Sequence, residues 1–265
     1  KPLRATEFVV VRDKVARGNA DVLSGLVMSQ TFMIPIVLLM VLIYSSQMIA
    51  ASIGQEKENK TLETLLTVPI NRTSVVIGKM VGAALVALVV SGIFMVAMVY
   101  WTGSLGAEMS APAGAGGASA LSELGLTLGP QSYVLLAVSL FLAVLCGLSL
   151  ATLLAIFADD AKSAQVAITP LMMLVMIPYF LGVFLNIEAA SLPIKILMYV
   201  IPFSYSFLAP KAILFGNYGI VFAGFAYMAL FAAACIFVAA RLFSTDRVLT
   251  AKLRWGRKRR MKAEG

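Results

Sequence analysis

Histidine is absent from this chain of 265 residues, and cysteine occurs only twice. Without histidine the commonest metal ligand and the commonest proton shuttle are gone. Proteolysis by a Ser/His pair or an HExxH helix is excluded with it. The two cysteines, Cys146 and Cys235, lie in apolar runs with no partner at metal or disulfide spacing, and read as buried apolar packing. Charge is scarce as well. Asp, Glu, Lys and Arg make up 13% of the residues, against about 25% in a soluble domain. A phosphate-binding loop is also missing. The nearest match to GxxxxGK[ST] is at Gly78-Lys79, but Met80 follows, Thr73 stands in the place of the first glycine, and the stretch opens an apolar helix. The chain therefore carries no ATP-hydrolysing site of its own.

What is present is apolar. Hydrophobic residues make up 60% of the chain, and its mean hydropathy is +0.93. No soluble core could hide so much, so lipid is the solvent for much of the chain. A spanning helix needs about 20 apolar residues. Five segments qualify: 32–54, 76–101, 133–158, 165–187 and 218–240. Lys79 is the only Lys or Arg inside them, near one end. Backbone polar groups in such segments can be satisfied only as helix. The expected fold class is an all-α polytopic membrane bundle. Transporters and pumps driven by a titrating residue carry charge inside the bundle; these spans carry none away from their ends. The adjacent pair Asp159-Asp160 reads as a solvated helix end, not as a catalytic pair.

Basic residues divide the connections into two groups. Lys57, Lys60, Arg72 and Lys79 cluster around the first connection, Lys162 follows the third span, and nine more lie in the tail 241–265. The loop 102–131 has none, and 188–217 has Lys195 and Lys211. This bias puts the first connection and the C-terminus in the cytoplasm. An odd number of spans then leaves residues 1–31 outside, where five basic residues run against the rule unless a folded outer domain carries them across. Residues 7–12 have strand-end composition and read as the last piece of such a domain. The basic tail reads as a topology signal in contact with anionic headgroups. Nucleic-acid binding would need a folded basic face or aromatic platforms, and the tail offers one Trp.

Residues 56–66, EKENKTLETLL, carry five formal charges in eleven residues between two apolar runs. Leu62, Leu65 and Leu66 share one helical face, and Glu56 with Lys60 is a favourable i,i+4 pair. Ser52 or Asn59 offers a cap at the start, and Pro69 ends the element. The expectation is a short amphipathic helix over 55–68 on the cytoplasmic surface. Interfacial helices favour Lys and Arg on the polar face. Glu56, Glu58 and Glu63 gain nothing from an anionic membrane and point to a protein partner.

GQEKENKTLETLLTVPINRTSVVIGK resembles the signature of ABC-2 type exporter permeases, the family related to NatB-like sodium exporters. The matching positions are Glu56, Lys57, Glu58, Thr61, Leu62, Glu63, Leu65, Leu66, Pro69, Arg72 and Lys79. The resemblance implies that this helix docks into a groove on a cytoplasmic ABC ATPase. The glutamates would meet basic groups there, the three leucines would fill the groove, and Arg72 and Lys79 would anchor the turn at the membrane. ATP and Mg would then bind in the partner, with no cofactor in this chain, and a second permease copy would complete a homodimer. The family usually has a first span and an outer domain before this point, so the chain is expected to be the later part of a longer protein. A stretch starting Glu188-Ala189-Ala190 resembles the loop importers offer to their ATPase, but lacks its glycine and falls on the outer side.

Three further features carry expectations. Gly78 and Gly82, continued by Ala83 and Ala87, form a small-residue stripe, which packs either within the bundle or against a second copy. The loop 102–131, with its core APAGAGGASA, reads as a linker. Residues 188–217, broken by Pro193, Pro202 and Pro210, read as short helices dipping into the outer leaflet. The resemblance suggests an outer gate there at Tyr199, Pro202, Phe203 and Tyr205, while plain interfacial anchoring stays open. A non-transporting relative that signals, or a scaffold without an ATPase, is the alternative to an exporter. Apolar spans suit lipids or hydrophobic drugs, whereas the family resemblance points to sodium.

Overall fold

The computed structural model describes residues 8–11, 14–17, 20–59, 72–109, 128–158, 160–185 and 190–244. A small antiparallel hairpin, β1 (Phe8–Val11) and β2 (Lys14–Arg17), pairs Phe8 with Arg17 and Val11 with Lys14. The rest of the described chain is helical. The helices are α1 (Ala20–Glu58), α2 (Arg72–Met109), α3 (Pro130–Ala155), α4 (Ala161–Ala167), α5 (Thr169–Phe184), α6 (Leu192–Val200), α7 (Phe203–Leu214) and α8 (Tyr218–Ser244). Five stretches are long and apolar enough to cross a membrane: Phe32–Glu58, Ala84–Trp101, Pro130–Ala155, Ala161–Phe184 and Tyr218–Leu242. Each overlaps one span expected from the sequence. Apart from the hairpin, the described chain is an all-helical membrane bundle.

Helix α3 is the centre. In its apolar window 56% of residues are buried, against 22% to 33% in the other four spans. It packs on α1, α2, α7 and α8. Small residues let its neighbours approach. A Cβ added at Gly147 would stand 3.1 Å from Leu42 Cδ2 and 3.1 Å from Ser46 Oγ of α1. The buried Ser139 hydroxyl donates to Ser206 Oγ at 3.0 Å, joining α3 to α7. By contrast α2 leaves Leu85, Val89, Ile93 and Tyr100 exposed, a face that lipid tails can solvate.

Several boundaries differ from the sequence expectation, each for a local reason. Helix α1 begins at Ala20, before the expected span, and runs unbroken to Glu58. Nothing between Gly54 and Glu58 stops a helix, so Glu56, Lys57 and Glu58 form its last turn; from Lys60 on, the helix expected over 55–68 lies outside the described residues. Ser52 lies inside α1 and caps no start. Asn59 closes its end, donating its N–H to Gln55 O at 2.9 Å. Helix α2 likewise continues to Met109, into the segment expected to be a linker from 102; no proline occurs before Pro112 to stop it. The fourth span starts at Ala161 and breaks at Ile168 into α4 and α5. Pro170 causes the break, because it has no N–H to return to the preceding turn.

Residues 192–214 form two short helices bent by 107°. Pro202 makes the corner. Ile201, the residue before it, is extended at φ −81° and ψ 119°, as a pre-proline residue prefers. Helix α7 then ends at Gly216, with φ 65°, while Asn217 N–H reaches back to Ala212 O at 2.7 Å. That is the closure in which glycine takes the left-handed position.

Among the described glycines, Gly54 lies closest to a neighbouring backbone. A Cβ there would lie 2.5 Å from Ala161 Cα and 2.7 Å from Asp160 O, both backbone atoms that cannot rotate away. Gly54→Ala should therefore separate α1 from the start of α4 and cost about 1–3 kcal/mol. A lowered midpoint of thermal unfolding in detergent, relative to Gly82→Ala as control, is the expected result.

Candidate functional site

The charged signature leads to one end of the bundle, where α1 ends, α2 begins, α3 ends and α4 begins. Glu56 and Lys57 are half-buried there, and Glu58 is exposed. Arg72 is the first residue of α2, and Lys79 lies two turns further along it. Thr61, Leu62, Glu63, Leu65, Leu66 and Pro69 lie outside the described residues, as does Lys60.

Lys57 does not face outward with Glu58. Its ammonium donates to the carbonyl of Ile156, and to that of Ala158 at 2.8 Å. Both carbonyls lie just past the last turn of α3, where intrahelical partners run out. A cation is favourable at that end of a helix dipole. Four residues on, Asp160 caps α4. Ser163 N–H donates to Asp160 Oδ1 at 2.6 Å, and Asp160 N–H donates to Ser163 Oγ at 3.0 Å. This is a reciprocal capping box. The Ser163 amide first, and its hydroxyl second, hold the Asp160 carboxyl below the usual carboxylate range. The sequence reading of Asp160 as a solvated helix end matches this position. Beside it lies an open groove of about 980 Å³, lined by Leu154, Phe157, Val166, Pro170 and Met173, with Asp160 and Lys162 among its polar residues.

The expected gate residues sit at the α6–α7 corner. Pro202 and Phe203 are buried, and Tyr199 is 40% exposed. Tyr205 donates its hydroxyl to Tyr199 O at 3.2 Å, and its ring lies 6.0 Å from that of Tyr199. Tyr227 of α8 donates to Val200 O at 2.7 Å, and its ring is 5.5 Å from Tyr205. Two hydroxyls thus satisfy carbonyls at the end of α6. Gly224 makes this fit, since a Cβ there would fall 2.6 Å from Tyr205 Cβ. The corner is clasped onto α8. Gly224 and Tyr227 were missed from sequence, although their i,i+3 spacing puts them on one face. Lys57 was placed in the signature, but its inward partners could not be read from sequence, because they lie about a hundred positions away.

At Gly78 and Gly82 an added Cβ meets nothing within 4 Å. Among the described residues the glycine stripe therefore has no close partner in its own chain.

Four spanning helices around a central fifth, with a polar crossing at one end and a proline-bent helix pair, make up a multi-pass membrane bundle. A family model, ABC-2 family transporter protein, matches residues 23–241. The chain belongs to that family and is a membrane permease component of an ABC transporter. Comparison with curated proteins found no match, and comparison with solved structures found none.

The Asp160 cap generates a pH test. A carboxyl held below its ordinary value stabilises the fold above that value, and the effect fades as pH falls through the lowered titration. Asp160→Ala should lower the unfolding midpoint at pH 7. The difference from wild type should shrink steadily below the ordinary aspartate range, as measured by thermal unfolding across a pH series.

Proposed function

We propose that this chain is the permease half of an ABC-2 type exporter, and that its energy comes from a separate cytoplasmic ATPase bound at the charged end of the bundle. The carrying observation is the place of the signature. Its first residues are the last turn of a helix of 39 residues that runs through the bundle, so a push at Glu56–Glu58 acts on a long lever. Members of this family generally pair with an ATP-binding subunit. The chain has no phosphate-binding loop of its own, which agrees with that division of labour.

In this reading Glu58 and Glu63 meet basic groups on the ATPase, and Leu62, Leu65 and Leu66 fill its groove. Arg72 and Lys79 hold the turn at the headgroups. ATP and Mg belong to the partner. The excess of Lys and Arg near 55–79 and in the tail supports a cytoplasmic position for both. Two copies pair; among the described residues nothing lies within 4 Å of a Cβ added at Gly78 or Gly82, which supports contact between copies there. Closure of the ATPase pair drives the coupling segments and moves substrate outward. The clasped α6–α7 corner lies on the outer side and must loosen as substrate leaves.

Co-purification with the ATPase from detergent tests the reading, with wild type compared against Glu58→Lys plus Glu63→Lys. Reversing two charges that face basic groups should reduce bound ATPase by about tenfold or more. Equal retention by both forms would remove the coupling role. Bound ATPase without substrate flux in vesicles would favour a signalling relative over an exporter.

A further inference from the structure

We propose that Lys57 is a positioning residue that fastens the charged end of α1 to the end of α3, so that a push on the signature moves the central helix and not α1 alone. This rests on the reading that an ATPase engages that end of the bundle.

Lys57 stands between two glutamates, yet its ammonium is turned to the Ile156 and Ala158 carbonyls. An ammonium has three donors and no acceptor, and two are used here on one chain end. One turn earlier, Gly54 lies on the Asp160–Ala161 backbone. Residues three apart share a helix face. One face of α1 therefore grips both the end of α3, through Lys57, and the start of α4, through Gly54. Glu58, on the next residue, is exposed. The signature is thus divided: Glu58 is available to a partner, and Lys57 is spent on the bundle. The helix it holds is the one that touches α1, α2, α7 and α8. Motion given to α3 reaches all four, including the proline corner through the Ser139–Ser206 hydrogen bond.

Hydrogen exchange on the full chain in nanodiscs tests the tie, comparing wild type, Lys57→Met, Lys57→Gln and Lys57→Arg. In the permease alone, Lys57→Met should speed exchange of amides 156–164 by about tenfold, the loss expected for a charge-assisted hydrogen bond. Lys57→Gln, which keeps a donor without the charge and serves if the Met variant does not fold, should fall between. Lys57→Arg should stay near wild type. With ATPase and ATP plus vanadate, wild type should respond at residues 52–58 and at 152–158. Lys57→Met should keep ATPase binding and the response at 52–58, and lose the response at 152–158. Unchanged exchange in the permease alone would overturn the tie, and so would a wild-type response at 152–158 in the Met variant. Loss of ATPase binding in that variant would make Lys57 a docking contact and overturn the proposal as well. If wild type itself recruits no ATPase, the proposed function fails and the coupling claim falls with it, while the permease-alone arm still decides whether Lys57 ties the two helices.

Discussion

A peptide group in hydrocarbon has no water to bond. Each spanning stretch must therefore satisfy its own backbone as helix, and the difficulty moves to the helix ends, where the last carbonyls and first amides have no partner. Much of what is specific to this bundle happens at such ends. Lys57 supplies donors to the end of α3. The hydroxyls of Tyr205 and Tyr227 do the same for α6. Asp160 and Ser163 close the start of α4 on each other. Each of these contacts also ties one element to another or fixes a turn, so completing the backbone and assembling the bundle are one process.

Lipid tails are as apolar as leucine, so burial alone does not drive helices together inside a membrane. Close approach must do it. Gly54, Gly147 and Gly224 mark three such approaches, each where a Cβ would meet a neighbouring helix. Among the described residues, helix α2 has no comparable fit at Gly78 or Gly82. The bundle is thus firm around α3 and lightly covered along α2. That asymmetry suits a unit whose remaining neighbour is another molecule or lipid.

The charged end joins these two themes. Glu58 and Lys57 are adjacent in sequence and opposite in use. The anion is exposed, and the cation is folded back onto the helix ends beneath it. A family signature is usually read as a single docking motif. Here its first turn presents Glu58 outward and Lys57 inward, because a helix places successive residues about 100° apart. The first turn of the signature is therefore continuous with the core of the bundle.

The number and approximate place of the spans were legible in the sequence, since uncharged apolar runs of this length have few other solutions. That prolines break 188–217 into short helices was legible too, although only Pro202 makes the corner and Pro210 lies inside α7. So was the family, from the dense pattern at Glu56 through Lys79. The end of α1 was not: no residue after Gly54 forces a break, and only the structure shows that the helix carries on through Lys57. Nor could the sequence say which residues would meet across the bundle. Lys57 with Ile156, Gly54 with Ala161 and Tyr227 with Val200 are far apart along the chain. Their pairing depends on how the helices rotate and slide against one another, and periodicity within a single helix carries no information about that. Apolar runs and a charged stretch between them were enough to require membrane helices with a charged link; which helix that link grips came only from the way the helices pack.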